Sequence, residues 1–92
     1  QPVDMNALAR AHAMSRRTFE RRFKKATGDT PLFYLQKIRV EAAKKMIERQ
    51  NATFDEISYR AGYENSSHFR EIFKKHTGLL PTQYERYFRH GG

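Results

Sequence analysis

The sequence predicts an all-α protein in which one small helical unit occurs twice, with a long helix between the copies. Three observations predict it. Phe23-Lys24-Lys25-Ala26-Thr27-Gly28-Asp29-Thr30-Pro31 returns 50 residues later as Phe73-Lys74-Lys75-His76-Thr77-Gly78-Leu79-Leu80-Pro81. The echo runs back through Phe19/Phe69 to Ser15/Asn65, then continues at an offset of 49 as Leu8/Ile57 and Met14/Tyr63. Apolar residues recur at helical spacing throughout, whereas β-branched residues are sparse and no stretch alternates as a strand would. Polar caps and glycine stops punctuate the chain at matching places in both copies.

The elements follow in order. Asp4 caps a first short helix running to about Ala11, with Leu8 and Ala11 on one face. His12-Ala13-Met14 makes a tight turn. Ser15 caps a second helix from Arg16 to about Ala26, on which Phe19, Phe23 and Ala26 form a stripe at i, i+4 and i+7. Gly28 stops it in the left-handed position. Thr30 at the N-cap and Pro31 at the first helical position open a connector helix to Arg49, its inward stripe read as Leu35, Ile38, Ala42 and Met46. Gln50-Asn51-Ala52 breaks that pattern. Thr53 and Glu56 form a capping box for a short helix to Ala61. A turn follows at Gly62-Tyr63-Glu64, then a longer helix from Ser66 to about Thr77 capped by Asn65. Gly78 ends it, and residues 81–88 make the last helix. His90-Gly91-Gly92 frays.

A short helix, a tight turn and a longer capped helix make a helix-turn-helix, so the fold class is all-α: two helix-turn-helix units (4–26 and 54–77) joined by a long connector helix (31–49). Ala9 and Ser58 are small enough for the paired helices to cross closely. Met14 and Tyr63 plug the gap after each turn. Gly62 supplies positive φ in the second turn. Ala13 stands at the matching place in the first, where keeping that geometry costs about 1 kcal/mol, so the first turn is expected to be adjusted.

The longer helix of each unit is the one that enters a DNA major groove, using residues near its N-terminus on the face opposite the phenylalanines. In the first unit these are Arg16, Arg17, Glu20 and Arg21. In the second they are Ser66, Ser67, Arg70 and Glu71, with His68 nearby. Arg pairs with guanine O6 and N7, and Glu accepts from cytosine N4. Residues 16–26 carry six basic side chains against one acid, net +5, and residues 66–77 three against one, net +2. The first unit is therefore expected to supply more of the affinity. Taken alone, Arg16 and Glu20 also read as an ordinary i,i+4 ion pair, and a single basic helix reads as a solvated face. The doubling of the whole unit favours DNA. Lys24, Lys25, Lys74 and Lys75 read as helix-end charges. The connector's 19 residues span about 28 Å, against about 34 Å between successive major-groove faces, so it can hold two reading helices on adjacent turns of one duplex.

Across 92 residues, 18 Lys and Arg against 10 acids give a net charge of +8, which suits a phosphate-rich partner. No cysteine is present, which excludes a disulfide scaffold or a Cys-ligated zinc site and fits a cytoplasmic, nucleoid-associated protein. No apolar run could span a bilayer, and no membrane partner is expected. His12, His68, His76 and His90 show no paired metal-ligand spacing. Neither a phosphate-binding glycine loop nor a base-and-acid pair beside Ser66 or Ser67 occurs, so no cofactor and no enzyme activity are expected. The alternative is a basic helical module for RNA or protein binding. RNA readers stack bases on exposed aromatics, whereas these aromatics fall on core stripes. The chain opens on Gln1 rather than Met and so reads as a segment of a longer protein.

The pattern resembles the DNA-binding domain of AraC/XylS-type transcriptional regulators. The carrying residues are Met14-Ser15-x-Arg17-x-Phe19-x-Arg21-x-Phe23-Lys24, Gly28-x-x-Pro31-x-x-Tyr34-Leu35 and Arg39-Val40-Glu41-Ala42. Ile57, Gly62-Tyr63, Phe69-Arg70-x-x-Phe73-Lys74 and Gly78-x-x-Pro81-x-x-Tyr84 follow in the second half. The resemblance implies two helix-turn-helix units reading consecutive major grooves of double-stranded DNA. It also implies transcription control, usually activation, through contact with RNA polymerase, and an N-terminal effector or sensor domain outside this chain. The positions it implies for base contact are Arg17, Glu20 and Arg21, then Ser67, Arg70 and Glu71. Family domains usually open with a further helix before the one that starts at Asp4, and here only Gln1-Pro2-Val3 precedes it. On that reading the first unit is the less stable one.

Overall fold

A computed structural model of the protein describes Asp4, Asn6, Ala7, Arg10 and residues 15–90. The helices set out among them are α1 (Arg16–Thr27), α2 (Pro31–Arg49), α3 (Phe54–Arg60), α4 (Ser66–Thr77) and α5 (Pro81–Arg89). The chain divides into two compact units, one ending at Gln36 and the other beginning at Lys37, so the boundary falls within α2.

In the first unit the Asp4 carboxylate accepts from the backbone N–H of Asn6 and Ala7 at 2.9 and 3.2 Å, the expected cap. The packing of Leu8 and Ala11, the small Ala9, the turn at Ala13 and the Met14 plug all lie outside the described residues. Ser15 caps α1 by accepting from Thr18 N–H at 3.1 Å. Phe19 and Phe23 are tilted against each other at 5.9 Å, and Phe23 meets Tyr34 edge-on at 5.4 Å. Both phenylalanines are half-buried. Ala26, expected on the same stripe, is exposed. Its methyl is short and sits one residue before the end of the helix, so the stripe covers two turns rather than three.

The C-terminal stops of α1 and α4 repeat in atomic detail. Gly28 and Gly78 take φ of 86° and 80°, each donating to a lysine carbonyl four residues back, Lys24 and Lys74, at 2.7 Å. Thr27 Oγ1 donates to Phe23 O and accepts from Asp29 N–H, and Thr77 does the same with Phe73 and Leu79. The aromatic contact repeats as well, with Phe73 edge-on to Tyr84 at 5.8 Å. Thr30 caps α2 by accepting from Phe33 N–H. At the equivalent Leu80, which has no polar side chain, the cap is reversed and Gln83 Oε1 accepts from Leu80 N–H at 2.8 Å.

The second unit holds the core. Val40, Ala43 and Ile47 of α2, Ile57 of α3, Ala61 after it, and Phe69, Ile72 and Phe73 of α4 are buried, with Met46, Ala52, Phe54, Tyr63 and Tyr84 packed around them. This corrects the expected stripe on the connector: Ile38 is 51% exposed, Ala42 is exposed, and Leu35 and Met46 are only half-buried. Apolar residues on α2 occupy two stripes about 130° apart, both at helical spacing. The stripe that wins puts the small Ala43 at its centre, fully buried, where a neighbouring element can approach most closely. Thr53 and Glu56 form the expected capping box, Thr53 Oγ1 accepting from Glu56 N–H and Glu56 Oε1 from Thr53 N–H. Those hydrogen bonds, from the Thr53 backbone and then its hydroxyl, hold the Glu56 carboxyl below its usual value. Ser58 is buried, its hydroxyl satisfied by Phe54 O at 2.8 Å.

Candidate nucleic-acid interface

Each of the two matching capped helices, α1 and α4, has an apolar side fixed by its phenylalanines and a polar side opposite. At 100° per residue, Phe19 and Phe23 put Arg17, Arg21 and Lys24 on the far side of α1. All three are exposed. Phe69, Ile72 and Phe73 likewise put Ser67, Glu71 and Lys74 on the far side of α4, and these are exposed too. Lys24 and Lys74, expected as helix-end charges, lie on these outward sides. Their i+7 spacing from Arg17 and Ser67 is the signal that places them in line with the candidate readers.

The remaining candidates lie to the side of these stripes. Arg16 Nε donates to Glu20 Oε2 at 2.9 Å, with both side chains partly exposed, so the i,i+4 pair forms. Such a pair adds only a few tenths of a kcal/mol to the helix, but it holds the Glu20 carboxylate against a cation. Ser66 is half-buried at the start of α4. Arg70 is exposed, and its guanidinium lies over the Phe54 ring at 5.4 Å, toward α3. Its neighbour on the opposite flank, His68, meets Tyr63 edge-on at 5.9 Å. Asn65 Oδ1 accepts from both Ser67 N–H and His68 N–H, which fixes where α4 starts and hence where Ser67 and Glu71 point.

The turn ahead of α4 holds this helix against α3, with Phe54 of α3 stacked on Phe69 of α4 at 5.8 Å. Gly62 has φ of 98° and donates to Tyr59 O at 3.0 Å. Tyr63 stacks on Phe69 at 4.7 Å, filling the space behind the turn as expected. Arg39 of α2 closes it from outside, its guanidinium 5.0 Å from the Tyr63 ring centre. Among the described residues no cluster of His, Cys, Asp or Glu could hold a metal ion, and no helix is long and apolar enough to cross a membrane.

A tight-turned helix pair with a buried back and a polar front in the second unit, and a matching capped helix with half-buried phenylalanines and a polar front in the first, on a basic chain, define a DNA-binding transcription-regulator domain. Comparison with known proteins agrees. A family model described as a helix-turn-helix domain matches residues 8–87. The HTH-type transcriptional activator RhaS of Escherichia coli O139:H28 is 33% identical over 79 residues, which is 86% of this chain and 28% of the relative. The DNA-binding domain of AdpA, a global transcriptional factor solved in complex with a target DNA, superposes with a TM-score of 0.89 and 34% identity over 99% of this chain and 82% of that one. A regulator from Chromobacterium violaceum described by its AraC-type DNA-binding domain shares the fold, at a TM-score of 0.82 and 23% identity, over 99% of this chain and 81% of that one. The chain belongs to the AraC/XylS-type helix-turn-helix DNA-binding domain family. It spans about 28% of the length of the curated activators it matches.

Proposed function

We propose that this chain is the sequence-specific double-stranded DNA-binding part of a bacterial transcriptional regulator, with α1 and α4 entering consecutive major grooves of one duplex. One observation carries the reading. Each unit has a polar N-cap, repeats the same glycine stop and aromatic contact, and leaves a polar stripe near the start of its long helix. The AdpA domain, similar over almost the whole chain, is one that was solved with its target DNA.

Arg17 and Arg21 are the guanine readers of the first unit, their planar donors matching O6 and N7. Arg16 holds Glu20 and leaves its own remaining donors for phosphate. Ser67 and Glu71 face base edges in the second unit, with Ser66 at the groove wall. Arg70, packed on Phe54, reaches the edge of the groove. RNA polymerase is the further partner, in keeping with a relative named as a transcriptional activator. The greater length of that relative supports an N-terminal effector or sensor domain in the intact regulator, and the site of action is the cytoplasmic nucleoid.

Selection of bound sequences from a random duplex library tests this. The expected product is a site with two short blocks about one helical turn apart. A single block, or a stem-loop RNA that outcompetes every selected duplex, overturns it and favours the RNA-binding alternative.

A further inference from the structure

The two recognition helices carry opposite charges at matching positions. Phe19 and Phe69 are equivalent, so Glu20 corresponds to Arg70 and Arg21 to Glu71. The order of acid and base is inverted. The structure sharpens the contrast, because the member of each pair that lies in the outward stripe is Arg21 in α1 and Glu71 in α4. That stripe reads Arg17, Arg21, Lys24 in one helix, three cations, and Ser67, Glu71, Lys74 in the other, one cation and one anion. The Glu20 carboxylate is held by Arg16. Glu71 is exposed, and among the described residues no ion pair engages it.

A carboxylate facing a groove walled by phosphates costs affinity unless it meets a donor. Ionised Glu is an acceptor only. The guanine edge offers two acceptors in the major groove and thymine one, so both repel it. Adenine sets its N7 acceptor beside its N6 amino group. Cytosine alone offers a donor, the N4 amino group, with no acceptor on its own major-groove edge. We infer that Glu71 is the specificity-determining residue of the second unit, accepting from cytosine N4 and rejecting the other three bases, while α1 supplies most of the phosphate-driven affinity. The inference rests on the reading of α4 as a groove-entering helix and names the base it selects.

The test compares wild-type chain with Glu71→Gln in the same duplex selection, followed by titration of the selected duplex and its single-base variants at fixed salt. Glutamine keeps the size, adds a donor and removes the charge, which suits adenine N6 and N7. In the wild type one position of the second block prefers cytosine by about tenfold or more. In Glu71→Gln that preference vanishes or passes to adenine. Affinity for random duplex stays the same or rises, because a negative charge leaves the phosphate-facing surface. Thermal unfolding by circular dichroism is unchanged, since the side chain is exposed and lies off the core. Unaltered base preference in Glu71→Gln, or an equal loss of affinity on every sequence, overturns the assignment of Glu71 alone. A wild-type chain that selects no duplex overturns the parent reading and this one with it.

Discussion

The guanidinium of Arg39 rests against both Tyr63 and the bare α-carbon of Gly62. It stands 5.0 Å from the tyrosine ring centre, and a Cβ built on Gly62 would come within 3.0 Å of its Cζ and a terminal nitrogen. The turn of the second helix-turn-helix is thus shaped by a residue of α2, more than twenty positions earlier in the chain. Gly62→Ala meets two penalties. The backbone φ of 98° is unfavourable for an L-residue, and Arg39 must shift off Tyr63, weakening a cation–π contact. The expected loss is about 1–3 kcal/mol, read as a lower urea midpoint at unchanged slope. A midpoint equal to wild type would mean that the turn tolerates a side chain and that Arg39 does not brace it.

The end of α2 offers the converse. Gln50, directly after Arg49, has φ of 56°, the one positive φ outside glycine among the described residues. Gly28 and Gly78 show what this chain uses at two other helix ends. Gln50→Gly relieves about 1 kcal/mol of left-handed strain and gives part of it back through the freer unfolded chain. The net expectation is a gain of about 0.5 kcal/mol, visible as a small rise in Tm.

What was legible in the sequence was local. The caps Asp4, Ser15, Thr30, Thr53 and Asn65 and the stops Gly28 and Gly78 act over three or four residues, and every one is found where spacing placed it. The face of α2 was not legible. Two apolar stripes compete on that helix, and the choice of Val40, Ala43 and Ile47 depends on what packs there. Arg39 on Tyr63, and Tyr84 on Glu48, join residues more than twenty positions apart, beyond any window of periodicity. At the candidate interface the repeat marks both candidate reading helices. It left open whether Arg16 and Glu20 would pair, and it gave no sign that Arg70 would lean on Phe54. Both outcomes are set by side-chain partners rather than by helix position.

The contact between Tyr84 and Glu48 leads to an alkaline prediction. Tyr84 Oη donates to the Glu48 carboxylate. Burial first, then that hydrogen bond and the negative charge beside it, push the phenol up to about 12 from its ordinary 10. Between those two values the unfolded chain has released the Tyr84 proton while the folded chain keeps it. The unfolded state then binds fewer protons, and stability falls as pH rises. The contribution is fully present below pH 10 and is lost through about pH 12. Tyr84→Phe is expected to be less stable at neutral pH, by about 1 kcal/mol for the hydrogen bond, and to lose less further stability between pH 10 and pH 12. Urea melts at both pH values measure this directly. Parallel losses in the two proteins would show that the alkaline effect originates elsewhere.

The difference in charge between the two candidate reading helices leads to a prediction about affinity. Arg21 stands in the outward stripe of α1 between Arg17 and Lys24, whereas Arg70 lies on the flank of α4 with its guanidinium on Phe54. For Arg70 to reach a base it must leave that ring, which offsets about 0.5–1 kcal/mol of any contact it makes. Among the described residues no ring competes for Arg21 in this way. Arg21→Ala is therefore expected to weaken binding to the selected duplex by about tenfold or more. Arg70→Ala should cost distinctly less, with a small loss of fold stability from the missing Phe54 contact. The salt dependence separates the roles further. A side chain that neutralises a phosphate lowers the slope of log Kobs against log salt by about 1 when removed, and weakens all sequences alike, whereas a base reader loses its preference at one position. Arg21→Ala should relax one guanine position, and Arg70→Ala should change the slope without changing any base preference. A larger loss from Arg70→Ala than from Arg21→Ala would reverse the assignment and make α4 the main source of affinity.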